Sequence, residues 1–228
     1  IGADHMTVLS NYRRAEYAIA LIQDGEVDPR DWQFYDLDLP GSVVDFEYFD
    51  KHLLVQVKNR LRDELVLIEP ATGNQQSILS AGAGESFRLM QPSYGVEPGF
   101  QVKKRSLIQP ELRYRVDVFE KVAHEIGSDS APENYLSDQY RVEEHWLPAR
   151  DGVEVPVTLV YKEGASLASR PLYLTAYGAY GVSLPIVFDP TRLPLLNRDF
   201  ILGIVHVRGG GDLGDGWHSS GRHMSKKN

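Results

Sequence analysis

A chain of 228 residues with 42% hydrophobic and 25% charged content has the make-up of a globular protein with one large or two smaller domains. Its net charge of −8 argues against a nucleic-acid binder, which normally presents a basic face. The absence of cysteine excludes disulfides, thiolate nucleophiles and cysteine metal sites together, and suits a cytoplasmic setting.

The opening "IGADHMTVLS" lacks the charged start and apolar core of a secretory signal, and no later run is long enough to span a membrane. From there to about residue 110, short apolar runs alternate with turn signals. "AEYAIALI" (15–22), "WQFYDLDL" (32–39), "VVDFEYF" (43–49), "HLLVQVK" (52–58) and "ELVLIEP" (64–70) are strand-length and rich in Val, Ile, Tyr and Phe. No sustained helical period interrupts them. Strands at this spacing predict a sandwich, barrel or propeller, and a four-strand blade of roughly 40–50 residues gives room for about two blades. Two blades close no ring, so the region reads as part of a longer chain. "SAGAGES" and "QPSYGVEPG" are predicted loops, "ELRYRVDVFEKV" a strand and "GSDSAPENYLSD" a linker. The basic groups Lys103, Lys104, Arg105 and Lys226, Lys227 are read as solvated surface.

At Tyr140 the pattern changes. "YRVEEHWLPARDGVEVPVTLVYKEG" predicts two strands joined by an Asp151-Gly152 turn. "PLYLTAYG" (171–178) and "FILGIVHV" (200–207) are continuous apolar runs, as expected of parallel strands buried on both faces. Between them "DPTRLPLLNRD" predicts a short helix with Pro194 near its start. This is the opening of an α/β domain, and "GRHMSKKN" ends the chain without a closing element.

Four chemistries compete for these elements. Gly209, Gly211 and Gly214 have the spacing of a dinucleotide cradle, but "DLGDGWHSSG" is too rich in Gly and Ser to predict the helix that a cradle opens into. His206, Asp212, Asp215, His218 and His223 lack the helical register of a zinc motif and are read as ordinary loop and strand residues; no metal and no cofactor is predicted. Ser183 in "GVSLP" has Pro185 where a nucleophile elbow needs glycine. "TAYGAYG" (175–181) sets two tyrosines beside glycines at the end of a buried strand. Either a hydroxyl there donates to a developing oxyanion, or both rings simply pack.

In one order, "YRVEEHWLPARDGVEVPVTLVY", "LTAYGAYG", "RLPLLNRDFILGIVHVRGGGDLG" and "KKN" resemble the prolyl oligopeptidase family of serine peptidases, and its oligopeptidase B branch in particular. The resemblance covers residues 140–228 well and "GSVVDFEYFDKHLLVQ" more faintly. It implies a β-propeller portion over 1–139, including the linker, followed by the N-terminal part of an α/β-hydrolase domain over 140–228. It implies short peptides as substrates, with the propeller restricting access. Tyr177 then matches the tyrosine forming half of the oxyanion hole, and Tyr180 an aromatic lining the substrate pocket. Arg208, with Gly209, Gly210 and Gly211, matches the loop after the next sheet strand, Arg208 on the substrate side; Asp212 stands where the family often has Glu. The family's serine, aspartate and histidine lie beyond the point where this chain stops, so the remainder of the parent chain is needed and the piece alone is expected to be inert. The branch implies cleavage after basic residues through an acidic pair, whose counterparts here are Pro185 and Val187. An esterase or aminoacyl-peptidase on the same domain, and a non-catalytic propeller binding module, are the rival expectations.

Overall fold

The computed structural model describes residues 5–14, 16–23, 25, 26, 28–90, 99–164 and 166–227. The chain folds into two compact units. One comprises Ile1–Ser80, Phe87–Lys103 and Arg113–Ile126; the other comprises Ala81–Ser86, Lys104–Leu112 and Gly127–Asn228.

The first unit begins with β1 (His5–Ser10), β2 (Ala18–Gln23) and the two-residue β3 (Gln33–Phe34), an antiparallel sheet in that order. The strand expected over 32–39 is therefore mostly absent. Tyr35, Leu37 and Leu39 nonetheless pack on the core, so their period of two reflects alternate burial without a hydrogen-bonded ladder. Next comes an antiparallel meander of β4 (Ser42–Phe49), β5 (His52–Asn59), β6 (Arg62–Glu69) and β7 (Asn74–Ser80). Asp50 and Lys51 both take positive φ, 44° and 65°, which gives the β4–β5 hairpin a two-residue turn whose twist matches its strands.

Leu53, Val55 and Val57 of β5 meet Val66 and Ile68 of β6 and Ile19 of β2 in the core. Burying each such side chain contributes about 1.5–3 kcal/mol. A polar cluster is buried on the opposite face of β5. Gln56 Nε2 donates to Asp63 Oδ2 at 2.9 Å and to the Phe87 carbonyl at 3.1 Å, and the Phe87 N–H donates to the same carboxylate at 3.0 Å.

Four further strands, β8 (Glu85–Met90), β9 (Phe100–Ser106), β10 (Leu112–Asp117) and β11 (Val122–Ser128), form a sheet in the order β11-β10-β9-β8. The single strand expected over 111–122 is divided in two. Asp117 Oδ1 accepts from the N–H groups of Phe119 and Glu120, and Lys121 at φ 56° completes the turn. Strand begins at Glu85, inside the expected loop "SAGAGES", and the predicted loop over 91–98 lies outside the described residues. On β9, Lys104 and Arg105 are ion-paired with Glu85 and Glu111, at 2.9 and 3.0 Å.

The second unit carries a mixed sheet of β12 (Tyr140–Pro148), β13 (Glu154–Lys162), β14 (Leu172–Ala176) and β15 (Ile201–Val205), in the order β12-β13-β15-β14. The Asp151-Gly152 turn joins β12 to β13 as the sequence predicts, with Gly152 at φ 81°. β14 and β15 run parallel, and the crossover between them carries the predicted short helix, α1 (Leu193–Leu196), behind a 3₁₀ turn. Pro194 sits in its first turn, where a missing N–H costs nothing.

One face of the sheet packs Tyr140, Val160, Leu202 and Ile204 against Leu196 of α1. Leu107 and Tyr135 join that core, so compactness does not follow a single cut between 139 and 140. β15 is buried, as its unbroken apolar run predicts. β14, the end strand of the sheet, departs from that expectation: Leu172, Tyr173 and Leu174 are exposed, so neither face of the strand is fully covered by the described residues.

Candidate active site

Because β14 and β15 are parallel and in register, from Leu172↔Ile201 to Ala176↔Val205, the segments leaving their C-terminal ends emerge side by side. That is the end of an α/β sheet where ligands bind. The first segment holds Tyr177 to Gly181, with Gly178, Tyr180 and Gly181 all at positive φ. The second holds Val207 to Gly211. The Gly181 N–H donates to the Gly209 carbonyl at 3.0 Å and ties the two together.

The glycines of the second segment are there for contact with other backbone. A Cβ on Gly209 would lie 2.4 Å from the Gly178 oxygen, and one on Gly211 would lie 2.2 Å from the Gly181 oxygen. The space a phosphate would take in a dinucleotide cradle is filled by protein. The Gly- and Ser-rich stretch after this loop departs from its expected irregular structure, since Asp215–Ser220 form a helix, α2. Gly214, at φ 86°, turns the chain into it. Its face is then held from outside: Trp217 Nε1 donates to the His206 carbonyl at 3.1 Å, and His218 Nδ1 donates to the Gly209 carbonyl at 2.9 Å. Tertiary anchors override the weak local propensity of a six-residue helix.

Tyr177 is 50% exposed and borders a groove of 780 Å³. The floor is the sheet face turned away from α1, formed by Val157, Leu159, Leu172, Leu174 and Val205. The phenolic hydroxyl of Tyr177 is a hydrogen-bond donor at the edge of a mainly apolar groove. Tyr180 is 85% exposed and stands on the rim of a second recess, of 450 Å³. Arg208 is only 9% exposed along its side chain, and its guanidinium forks onto the Asp151 carboxylate at 2.6 and 3.1 Å. That hydrogen bond holds the Asp151 carboxyl below its usual range.

Among the metal-ligand types in this region, His206, Asp212 and His218 are engaged within the protein. His206 is buried, with Nδ1 donating to Asp212 Oδ1 and Nε2 meeting Thr158 Oγ1, each at 2.8 Å. Ser183 makes no hydrogen bond with a histidine among the described residues. Lys226 is more than the solvated cation expected from sequence: its amine donates to the Gly178 carbonyl and, at 3.1 Å, to the Arg208 carbonyl. Its position in "KKN", within the family-like stretch, was the available signal. Pairings such as Arg208–Asp151 and Thr158–His206 leave no local trace in the sequence.

No family model matches the chain. Protease 2 of Moraxella lacunata is 31% identical over 204 residues, which are 84% of this chain and 29% of that protein. The prolyl endopeptidase-like protein of Xenopus laevis is 32% identical over 217 residues, 91% of this chain and 29% of its own length. Among solved structures, oligopeptidase B from Leishmania major superposes with a TM-score of 0.86 at 21% identity, over 99% of this chain and 33% of that one. The chain thus spans about a third of the relatives it matches. By these homologies it belongs to the prolyl oligopeptidase family.

Proposed function

We propose that the chain is part of a serine-type oligopeptidase that hydrolyses short peptides by acyl-enzyme chemistry. The observation that carries this reading is Tyr177, half-exposed beside an open groove at the C-terminal end of a parallel strand, in a homologue of peptidases. In the full-length protein a serine attacks the peptide carbonyl. A histidine takes its proton and returns it to the leaving amine, and an aspartate orients that histidine. The remainder of the longer protein supplies those three groups. Tyr177 donates a hydrogen bond to the oxygen of the tetrahedral intermediate, and Tyr180 lines the substrate pocket. Arg208, its fork taken by Asp151, serves by holding the glycine loop in place.

On the same reading, residues 1–139 contribute blades of a β-propeller and 140–228 open an α/β-hydrolase domain. Sheets of four sequential strands support the first part, and the parallel pair β14–β15 with its helical crossover supports the second. Cleavage after basic residues, in a cytoplasmic enzyme, belongs to the oligopeptidase B reading; Pro185 and Val187 supply no carboxylate for that preference.

The test is a hydrolysis panel on the full-length protein, with short peptides ending in basic or prolyl residues, aminoacyl substrates and simple esters, alongside labelling by a fluorophosphonate. Cleavage of the peptides with labelling of one serine is expected, and the isolated 228-residue chain is expected to be inert. Turnover confined to esters or aminoacyl groups moves the assignment to the rival hydrolases. Neither turnover nor labelling makes the protein a binding module.

A further inference from the structure

The second recess beside Tyr180 differs in chemistry from the apolar groove. The side chains around its 450 Å³ are Tyr180, His218, Arg222, His223 and Lys226, with glycine and alanine backbone between them. Among the described residues no carboxylate lines it, in a chain whose net charge is −8. The guanidinium of Arg222 is exposed and makes no hydrogen bond or ion pair among the described residues. Lys226 directs its amine to two neutral carbonyls, of Gly178 and Arg208, which leaves its charge without a counter-ion and one of its three donors unused among the described residues. A carbonyl only accepts, so His218 holds a proton on Nδ1 toward Gly209. Tyr180 and His223, on the same rim, take φ of 57° and 51°, a backbone state that costs energy in residues with side chains and gathers at ligand sites.

We propose that this recess is a subsite for a carboxylate of the peptide substrate, with Arg222 and Lys226 as its charged donors and the Tyr180 ring as its wall. Its size matches a small-ligand site. A chain that repels polyanions overall while concentrating positive charge in one recess selects an isolated carboxylate over a nucleic acid. The C-terminal carboxylate of a short peptide and an acidic side chain share this chemistry. The inference rests on the peptidase reading for its ligand, but its test is binding rather than turnover.

In the full-length protein, the imidazole C–H signals of His218 and His223 report occupancy by NMR. Three probes are titrated: N-acetyl-dialanine with a free carboxylate, its C-terminal amide, and the α-amide of N-acetylglutamate. Saturable shifts with the free acid and none with the amide are expected. Arg222→Gln should weaken that binding about tenfold, and added salt should weaken it further. Equal shifts from acid and amide, no shift from either, or unaltered affinity in Arg222→Gln overturns the proposal. The glutamate probe identifies the source: binding as tight as the dipeptide acid assigns the subsite to any carboxylate, and weaker binding assigns it to the chain terminus. A full-length protein that hydrolyses no peptide but still separates acid from amide in the titration overturns the peptidase reading and leaves a carboxylate site standing.

Discussion

Arg208 lays its guanidinium on the Asp151 carboxylate across 57 residues of sequence, pinning the glycine loop after β15 to the turn between β12 and β13. The fork has a sign-definite pH signature. Asp151 is depressed in the folded state by its hydrogen bond from Arg208. Such a carboxylate contributes stability that is present above its unfolded value and lost as pH falls through the folded one. Denaturant melts should therefore find Asp151→Asn less stable than the wild type at neutral pH, with the gap closing below about pH 4. A gap that does not change with pH would contradict the fork.

Tyr177→Phe in the full-length protein removes one hydroxyl and little volume. Loss of a single oxyanion donor typically raises the barrier by about 2.7–4 kcal/mol. Steady-state kinetics should show kcat lowered at least ~tenfold with KM nearly unchanged, because the bond forms only as charge develops. Unaltered kcat would end the role assigned to this tyrosine.

Gly211→Ala and Gly216→Ala form a matched pair. A Cβ at Gly211 would meet the Gly181 oxygen at 2.2 Å, whereas one at Gly216 in α2 would meet nothing within 4 Å. The first should destabilise by about 1–3 kcal/mol through forced backbone separation. The second should be neutral, or stabilising by up to about 1 kcal/mol through helix propensity. Thermal melts of the two variants decide, and similar melts would argue against the close approach.

Asp212→Ala strips the buried Nδ1 proton of His206 of its acceptor. An unsatisfied buried donor costs about 1–3 kcal/mol, and Asp212→Asn, which keeps an acceptor oxygen, should cost less. Amide hydrogen exchange at Gly209 to Gly211 should quicken in the alanine variant, since Asp212 closes that loop onto β15. Protection equal to wild type would remove the clamp.

What could be read from the sequence was whatever local pattern encodes. The runs over 171–178 and 200–207 announced β14 and β15, Asp151-Gly152 announced its turn, and Pro194 marked the start of α1. β9, with the sequence FQVKKRS, escaped notice because only alternate residues on it face inward and its cations are satisfied by Glu85 and Glu111. α2 escaped because its anchors, the carbonyls of His206 and Gly209, are distant contacts that no propensity describes. The position of Tyr177 just past the end of a strand was legible from the apolar run before it. The commitment of Arg208 to Asp151 and the gathering of Arg222, His223 and Lys226 around Tyr180 arise only when segments from four parts of the chain meet.

Main chain touches main chain where Gly209 and Gly211 meet the oxygens of Gly178 and Gly181. Two loops in such contact have no side-chain cushion that could be traded for another, so neither can be re-lengthened or re-sized alone. Substitutions that leave the interlock intact are then those at side chains projecting beyond it. Tyr180, Arg222 and His223, which line the recess of the proposed carboxylate subsite, can be replaced while the scaffold beneath stays fixed. An engineer seeking a new preference has those outward positions to vary and should leave the glycines alone.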